Sequence, residues 1–178
     1  SLEEKIIYVQ EQLEFLLSNY SKKYSKKIRS KLSILLSVDL LNLGALFPLL
    51  TDPYLEEIFL DSKSEKIYLN HQKFGRLETS IFLREKEIEA IKSHLILESN
   101  KPLDHENPSL VHVINNKFFH CRFSIDTWPS HYLDFSLDIR KLNKNIFTLL
   151  DLVDLRTCNI EIAAFLTLLL LIKVNITI

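Results

Sequence analysis

Residues 66–99 read KIYLNHQKFGRLETSIFLREKEIEAIKSHLILES. Lys66–His71 and Leu77–Leu83 are short runs rich in β-branched and aromatic residues. A turn at Phe74-Gly75 separates them, so the stretch predicts two joined strands. From Arg84 to Ser99 the apolar residues fall at Ile88, Ile91, Leu95 and Ile96, the spacing of one helix face. Further strands follow at Val111–Ile114, Phe118–Ile125 and Tyr132–Ile139, linked by Asn115-Asn116 and by a loop at Trp128-Pro129-Ser130. The order is strand, strand, helix, strand, strand, strand. Without strand–helix alternation the sheet is expected to be antiparallel and the fold α+β, with one or two packing helices.

On the N-terminal side, Leu2, Ile6, Val9, Leu13, Leu16 and Leu17 recur at helical spacing, with Glu3, Glu4, Glu11 and Glu14 on other faces. A second helix is expected from Leu32 to Leu46, stopping near Gly44 and Pro48, so residues 1–47 read as a helical hairpin. Asp52-Pro53 then has the form of a helix start, predicting a short helix through Tyr54–Ile58. Past Phe147 the pattern is helical again, over Thr148–Leu155 and Asn159–Ile172, and Ile176–Ile178 reads as the beginning of a strand. Three segments are therefore expected: a helical N-terminal extension (1–47), an α+β domain (48–145) and a helical linker (146–178).

Composition excludes several kinds of chemistry. Of the 178 residues 47% are hydrophobic and 25% charged, an ordinary globular balance. The two glycines, Gly44 and Gly75, are far apart. Backbone cradles for phosphate need clustered glycine, so neither a P-loop, a dinucleotide fingerprint nor a GxSxG elbow exists within these residues. A net charge of −1 gives no steering toward nucleic acid, and none is expected as a partner. Cys121 and Cys158 read as small buried hydrophobes of a reducing compartment. Ser1-Leu2-Glu3-Glu4 is acidic where a signal peptide needs cations. Ile162–Ile172 is about half the length of a membrane span and reads as a buried helix.

Candidate sites are few. His112, His120, Cys121 and His131 lie close in sequence but lack metal-binding spacing, and no metal site is expected. The pairs Glu56/Glu57, Asp134/Asp138 and Asp151/Asp154 are explained by helix capping or a solvated face, so no catalytic residue is assigned. Lys22, Lys23, Lys26, Lys27, Arg29 and Lys31 form a basic run with no acid among them. It suits acidic lipid headgroups or an acidic protein surface; a solvated inter-helix segment is the plainer reading.

Several segments in order resemble a known family. Pro48-Leu49-Leu50-Thr51-Asp52-Pro53-Tyr54-Leu55-Glu56-Glu57-Ile58 is similar to the opening of the secretion ATPases. This superfamily comprises type II and type IV secretion, type IV pilus and archaellum motors, and the match is best to its archaeal branch. Ile67–His71 with Phe74-Gly75-Arg76-Leu77-Glu78-Thr79, Lys101-Pro102-Leu103-Asp104 with Asn107–Leu110, and Ser136-Leu137-Asp138-Ile139-Arg140-Lys141 match later pieces. Thr148–Val153 and Ile160–Leu166 complete the series. Asn115-Asn116-Lys117 stands where the family often has a glycine turn, and Arg156-Thr157 replaces its Gly-Thr.

The resemblance implies the N-terminal domain of a hexameric motor, ending just before the phosphate loop. Such a domain is non-catalytic, while the longer protein binds ATP and Mg. It packs on its own motor domain and on neighbouring subunits, and couples ATP-driven motion to a membrane platform protein. The implied location is cytoplasmic, peripheral at the inner face of the membrane. Arg140 and Arg122 occupy the positions of arginines that approach nucleotide phosphates in the family. The hairpin would contact the platform through the Lys22–Lys31 run. The alternative is a stand-alone α+β interaction or small-ligand sensor module with no motor attached.

Overall fold

A computed structural model describes residues 1–20, 24–62, 65–127, 135–142 and 148–176. They divide into two compact units, Ser1–Leu142 and Asn143–Ile178. The first unit opens with helices α1 (Leu2–Tyr20), α2 (Lys26–Leu40) and α3 (Phe47–Thr51). Strands β1 (Leu55–Leu60), β2 (Lys66–His71) and β3 (Gly75–Phe82) follow, then α4 (Glu85–Ser99) and strands β4 (Ser109–Asn115), β5 (His120–Asp126) and β6 (Ser136–Lys141). The six strands form one antiparallel sheet in the order β3-β2-β1-β6-β5-β4. The expected α+β class with an antiparallel sheet is borne out.

The expected helix at Tyr54–Ile58 is instead β1, a central strand. Asp52 does not start a helix: it is the C-cap of α3, its N–H donating to the Pro48 carbonyl, and its Oδ1 accepts the Tyr54 N–H at 2.9 Å, closing a side-chain turn into the strand. The register against β2 then shifts between Leu55 and Glu57, leaving Glu56 as the extra residue of a β-bulge. Because of that insertion Leu55 and Ile58, three apart, both reach the core. A bulged strand thus imitates helical spacing.

The second helix also starts earlier than expected. Ser25 caps α2, its side chain accepting the Ile28 N–H at 3.4 Å. Lys26–Lys31 are therefore helical turns and not a solvated connection. At its other end α2 stops at Leu40, and Pro48 lies in the first turn of the separate α3.

One face of the sheet is the core. Ile58 and Leu60 of β1, Ile67 of β2, Phe123 and Ile125 of β5, and Leu137 and Ile139 of β6 are buried there. The helices meet them with Ile88, Ile91 and Leu95 of α4, Val38 of α2, and Leu2 and Ile6 of α1. The hairpin thus shares its core with the sheet. Phe47 adds edge-on contacts to Phe118 and Phe119, with ring centroids 5.6 and 6.5 Å apart. Left-handed residues close elements of this unit: Asn42 (φ 55°) follows α2, Gly75 (φ 68°) ends the β2–β3 turn, and Asn100 (φ 53°) caps α4.

In the second unit, Thr148 and Asp151 form a reciprocal cap at the start of α5 (Leu149–Asp154), and Asn159 caps α6 (Ile160–Leu171). Arg156, where the resembled family carries glycine, adopts φ 56°. Although α6 was expected to be buried, none of its side chains is, because this two-helix unit has too little surface to enclose so apolar a helix. Among the described residues, no helix is long and apolar enough to cross a membrane. The strand expected at 176–178 lies outside the described residues apart from Ile176.

Half-buried His94 of α4 titrates below the ordinary 6.5, chiefly through burial and secondarily through Lys5 of α1; a hydrogen bond to the Leu41 backbone and the Glu98 charge oppose the shift. Unfolded protein therefore binds the proton more readily than folded protein. Stability is expected to fall as pH drops through about 6.5 toward the lowered folded value, and His94→Gln should flatten that slope in urea titrations.

Candidate functional site

The other face of the sheet is open, charged along its middle strands and apolar at its β4 edge, where Val111 and Val113 are exposed. Strand alternation sends Glu57 and Phe59 of β1, Asp138 and Arg140 of β6, and Arg122 of β5 to this side. The register aligns Val113, Arg122, Arg140, Glu57, Asn70 and Arg76 in one row across all six strands. Arg140 Nε donates to Glu57 Oε1 at 2.8 Å, and its Nη2 donates to the same oxygen. From the other side Asn70 Nδ2 donates to Glu57 Oε2 at 3.3 Å. The carboxylate is 17% exposed and the guanidinium 62%, so the pair is anchored at its acidic end and open at its basic end.

Electrostatics follow from this packing. Hydrogen bonding from Arg140 holds the Glu57 carboxyl below the ordinary carboxylate range. Asp138, one row along, is pushed up by burial and then by the Glu57 charge. Arg122 is exposed, lies directly opposite Arg140 in register, and makes no ion pair among the described residues. Facing like charges repel; here the Glu57 ion pair and the Asp138 carboxylate, which interacts with both arginines, offset that repulsion. Guanidinium pairs suit phosphate-like groups because each can offer two parallel donors. Beyond Glu57, Arg76 lies over the rings of Tyr68 and Phe59 at 5.4 and 5.9 Å.

The end of β6 is tied down separately. Lys141 Nζ donates to the Asp52 carbonyl at 2.7 Å and also to the Leu50 carbonyl, which caps α3 and fixes the turn into β1. The segment Ser136–Lys141 and the segment Pro48–Ile58 thus touch through Glu57–Arg140 and through Lys141.

The assigned cations fall in two places. Arg122 and Arg140 share the sheet face. Lys26, Lys27, Arg29 and Lys31 lie on the first turns of α2, and Lys22 and Lys23 lie outside the described residues. Asn70 was not singled out from the sequence, and Glu57 and Asp138 were weighed only as members of carboxylate pairs explained by capping or a solvated face; Glu57 instead pairs with Arg140, which setting the Glu57/Phe59 alternation against Asp138/Arg140 would have shown. Among the described residues no three His, Cys, Asp or Glu side chains group closely enough to hold a metal, and His131 lies outside them. Cys121 is buried and its thiol is pushed up to about 11 by desolvation, whereas Cys158 is half-buried.

The fold is thus an α+β domain whose antiparallel sheet is covered by helices on one side and carries an arginine row on the other. No family model matches the chain. It is 28% identical over 158 residues to the uncharacterized protein MJ0781 of Methanocaldococcus jannaschii. That match takes in 88% of this chain and 22% of the relative, so the chain spans about a fifth of its length. Among solved structures it is similar to the VirB11 ATPase from the Brucella suis type IV secretion system, in complex with sulphate. The TM-score is 0.55 and the identity 17%, covering 71% of this chain and 36% of that one. At such identity the likeness is one of fold.

In a carboxyl NMR titration Glu57 is expected to titrate below 4.5 and Asp138 above 3.8. Arg140→Ala should move the Glu57 midpoint upward; a midpoint that stays put would mean the pair does not form in solution.

Proposed function

We propose that this chain is the non-catalytic N-terminal regulatory and assembly domain of a secretion or type IV pilus-like ATPase. The observation that carries the reading is the junction of β1 and β6. Two segments that resemble the secretion ATPases, far apart in sequence, join there and set Arg140 and Arg122 side by side on an open face. The fold likeness to VirB11 and the much longer relative support the same reading.

In this account ATP and its magnesium belong to a motor portion outside these residues. Arg140 and Arg122 reach the nucleotide phosphates from the sheet face, with Glu57 orienting Arg140 until phosphate competes for it. The motor's own domain and neighbouring subunits of a hexamer pack here. Domain motion passes to a membrane platform protein, which places the assembly at the inner face of the membrane. The alternative of a small-ligand sensor would not use the core void lined by Leu46, His94 and Phe119, which at about 10 Å³ has barely room for one water; the roomier hollow, about 240 Å³ beside Glu3, Glu98 and Asn116, lies at the surface.

The test is ATP turnover by the protein encoded by the whole gene. Arg140→Ala should lower turnover by roughly 100- to 1,000-fold, as loss of a charge-stabilising donor does, with the oligomer intact on gel filtration. Wild-type turnover in both Arg140→Ala and Arg122→Ala would reject the role.

A further inference from the structure

We infer that the free edge of β4 is a self-association surface, on which a second copy of the chain pairs its own β4 antiparallel about a two-fold axis at His112. The Asn116 N–H donates to the Phe119 carbonyl and the Thr127 N–H to the Pro108 carbonyl. These two bonds set the phase of the β4–β5 ladder, in which hydrogen-bonded and non-bonded pairs alternate. Leu110, His112 and Ile114 therefore bond to β5, while Ser109, Val111, Val113 and Asn115 turn their N–H and C=O groups to the open edge. All four are exposed, Val111 by 43% and Val113 by 44%. Where the start of α1 comes nearest, the hollow beside Glu3 and Glu98 keeps that edge open.

The two edges of the sheet are built differently. At the far edge β3 carries Arg76 and Glu78, with Glu78 paired to Lys66, and its register against β2 shifts between Lys66 and Tyr68. Charge and irregularity of this kind keep a strand edge from pairing with another chain. β4 reads Ser-Leu-Val-His-Val-Ile-Asn, with no Asp, Glu, Lys or Arg, and its register against β5 is unbroken. The strand is also its own complement. Laid antiparallel about His112, Val111 faces Val113 of the second copy, Leu110 faces Ile114 and Ser109 faces Asn115, so like chemistry meets at every position. The phase agrees, because Val111 with Val113 and Ser109 with Asn115 join residues whose backbone groups all point to the seam. A strand of another protein needs no such palindrome; a second copy does. A two-fold contact cannot close a cyclic ring, so this surface is separate from any ring contact and the inference does not depend on a motor domain.

The test is sedimentation velocity of the chain over a concentration series, in which a monomer–dimer equilibrium is expected. Val111→Glu/Val113→Glu sets carboxylate against carboxylate twice across the axis and should weaken association about tenfold or more. Val111→Lys/Val113→Glu sets lysine against carboxylate twice and should retain it, although both variants lose the same two valines. In a Cys158→Ser background, His112→Cys should give a disulfide-linked dimer on mild oxidation with copper phenanthroline, because residue 112 meets its own copy at a non-bonded pair. Val111→Cys should not, since its own copy lies two residues away along the facing strand. Circular dichroism establishes that each variant folds. A chain that stays monomeric at every concentration would overturn the inference. Equal association of the two charged variants would do so too, by moving the contact to another surface such as α6. So would cross-linking through Val111→Cys as efficient as through His112→Cys, which would mean a different register.

Discussion

The pairing of β1 with β6 is the contact through which the first unit closes. Ile58 lies against Ile139 and Leu60 against Leu137, joining the first strand of the sheet to the last. All four side chains are buried, each contributing about 1.5–3 kcal/mol by leaving water. Without this seam the chain would hold two three-stranded sheets, β3-β2-β1 and β6-β5-β4, each with an open edge where the other should be. Such long-range pairing is slow to form, because the loop entropy between the strands is lost before the contacts are gained. Lys141 reinforces the seam by gripping the turn at Asp52, so the start of β1 and the end of β6 are held together.

The same seam organises the charge. A strand buried on one face must present its alternate residues on the other, so placing Ile58 and Ile139 inward obliges Glu57 and Arg140 to meet outside. The bulge at Glu56 makes this compatible with Leu55 also facing inward. Glu57 is therefore anchored by structure, and Arg140 is presented to solvent on a fixed carboxylate beside Arg122. The ion pair to Glu57 restricts the Arg140 side chain, so less of its entropy remains to be lost in any further contact.

Much of the fold was legible in the sequence because its signals were local. The turn at Gly75, the periodicity over Arg84–Ser99 and the caps at Thr148 and Asn159 are each decided by neighbours in the chain. Leu55–Leu60 was not legible. Its bulge adds one residue to a period of two, and the Asp-Pro pair that opens it also opens helices. The early start of α2 was hidden by a different effect, since lysines in a first turn oppose the helix dipole and read as a polar connection. The arginine row needed the register of all six strands, which no single segment carries. Family resemblance marked Arg140 and Arg122 in advance but not the carboxylate that positions one of them. Arg156, noted only as a replacement of the resembled family's glycine, is left-handed, a conformation that nothing in the residue itself suggests.

The central claim is that this domain serves an ATP-driven motor, and the coding sequence beyond Ile178 tests it most directly. A buried strand followed by a glycine-rich loop ending in Gly-Lys-Ser or Gly-Lys-Thr is expected within about fifteen codons. A stop codon there, or a continuation without that loop, would contradict the account and leave a stand-alone interaction module.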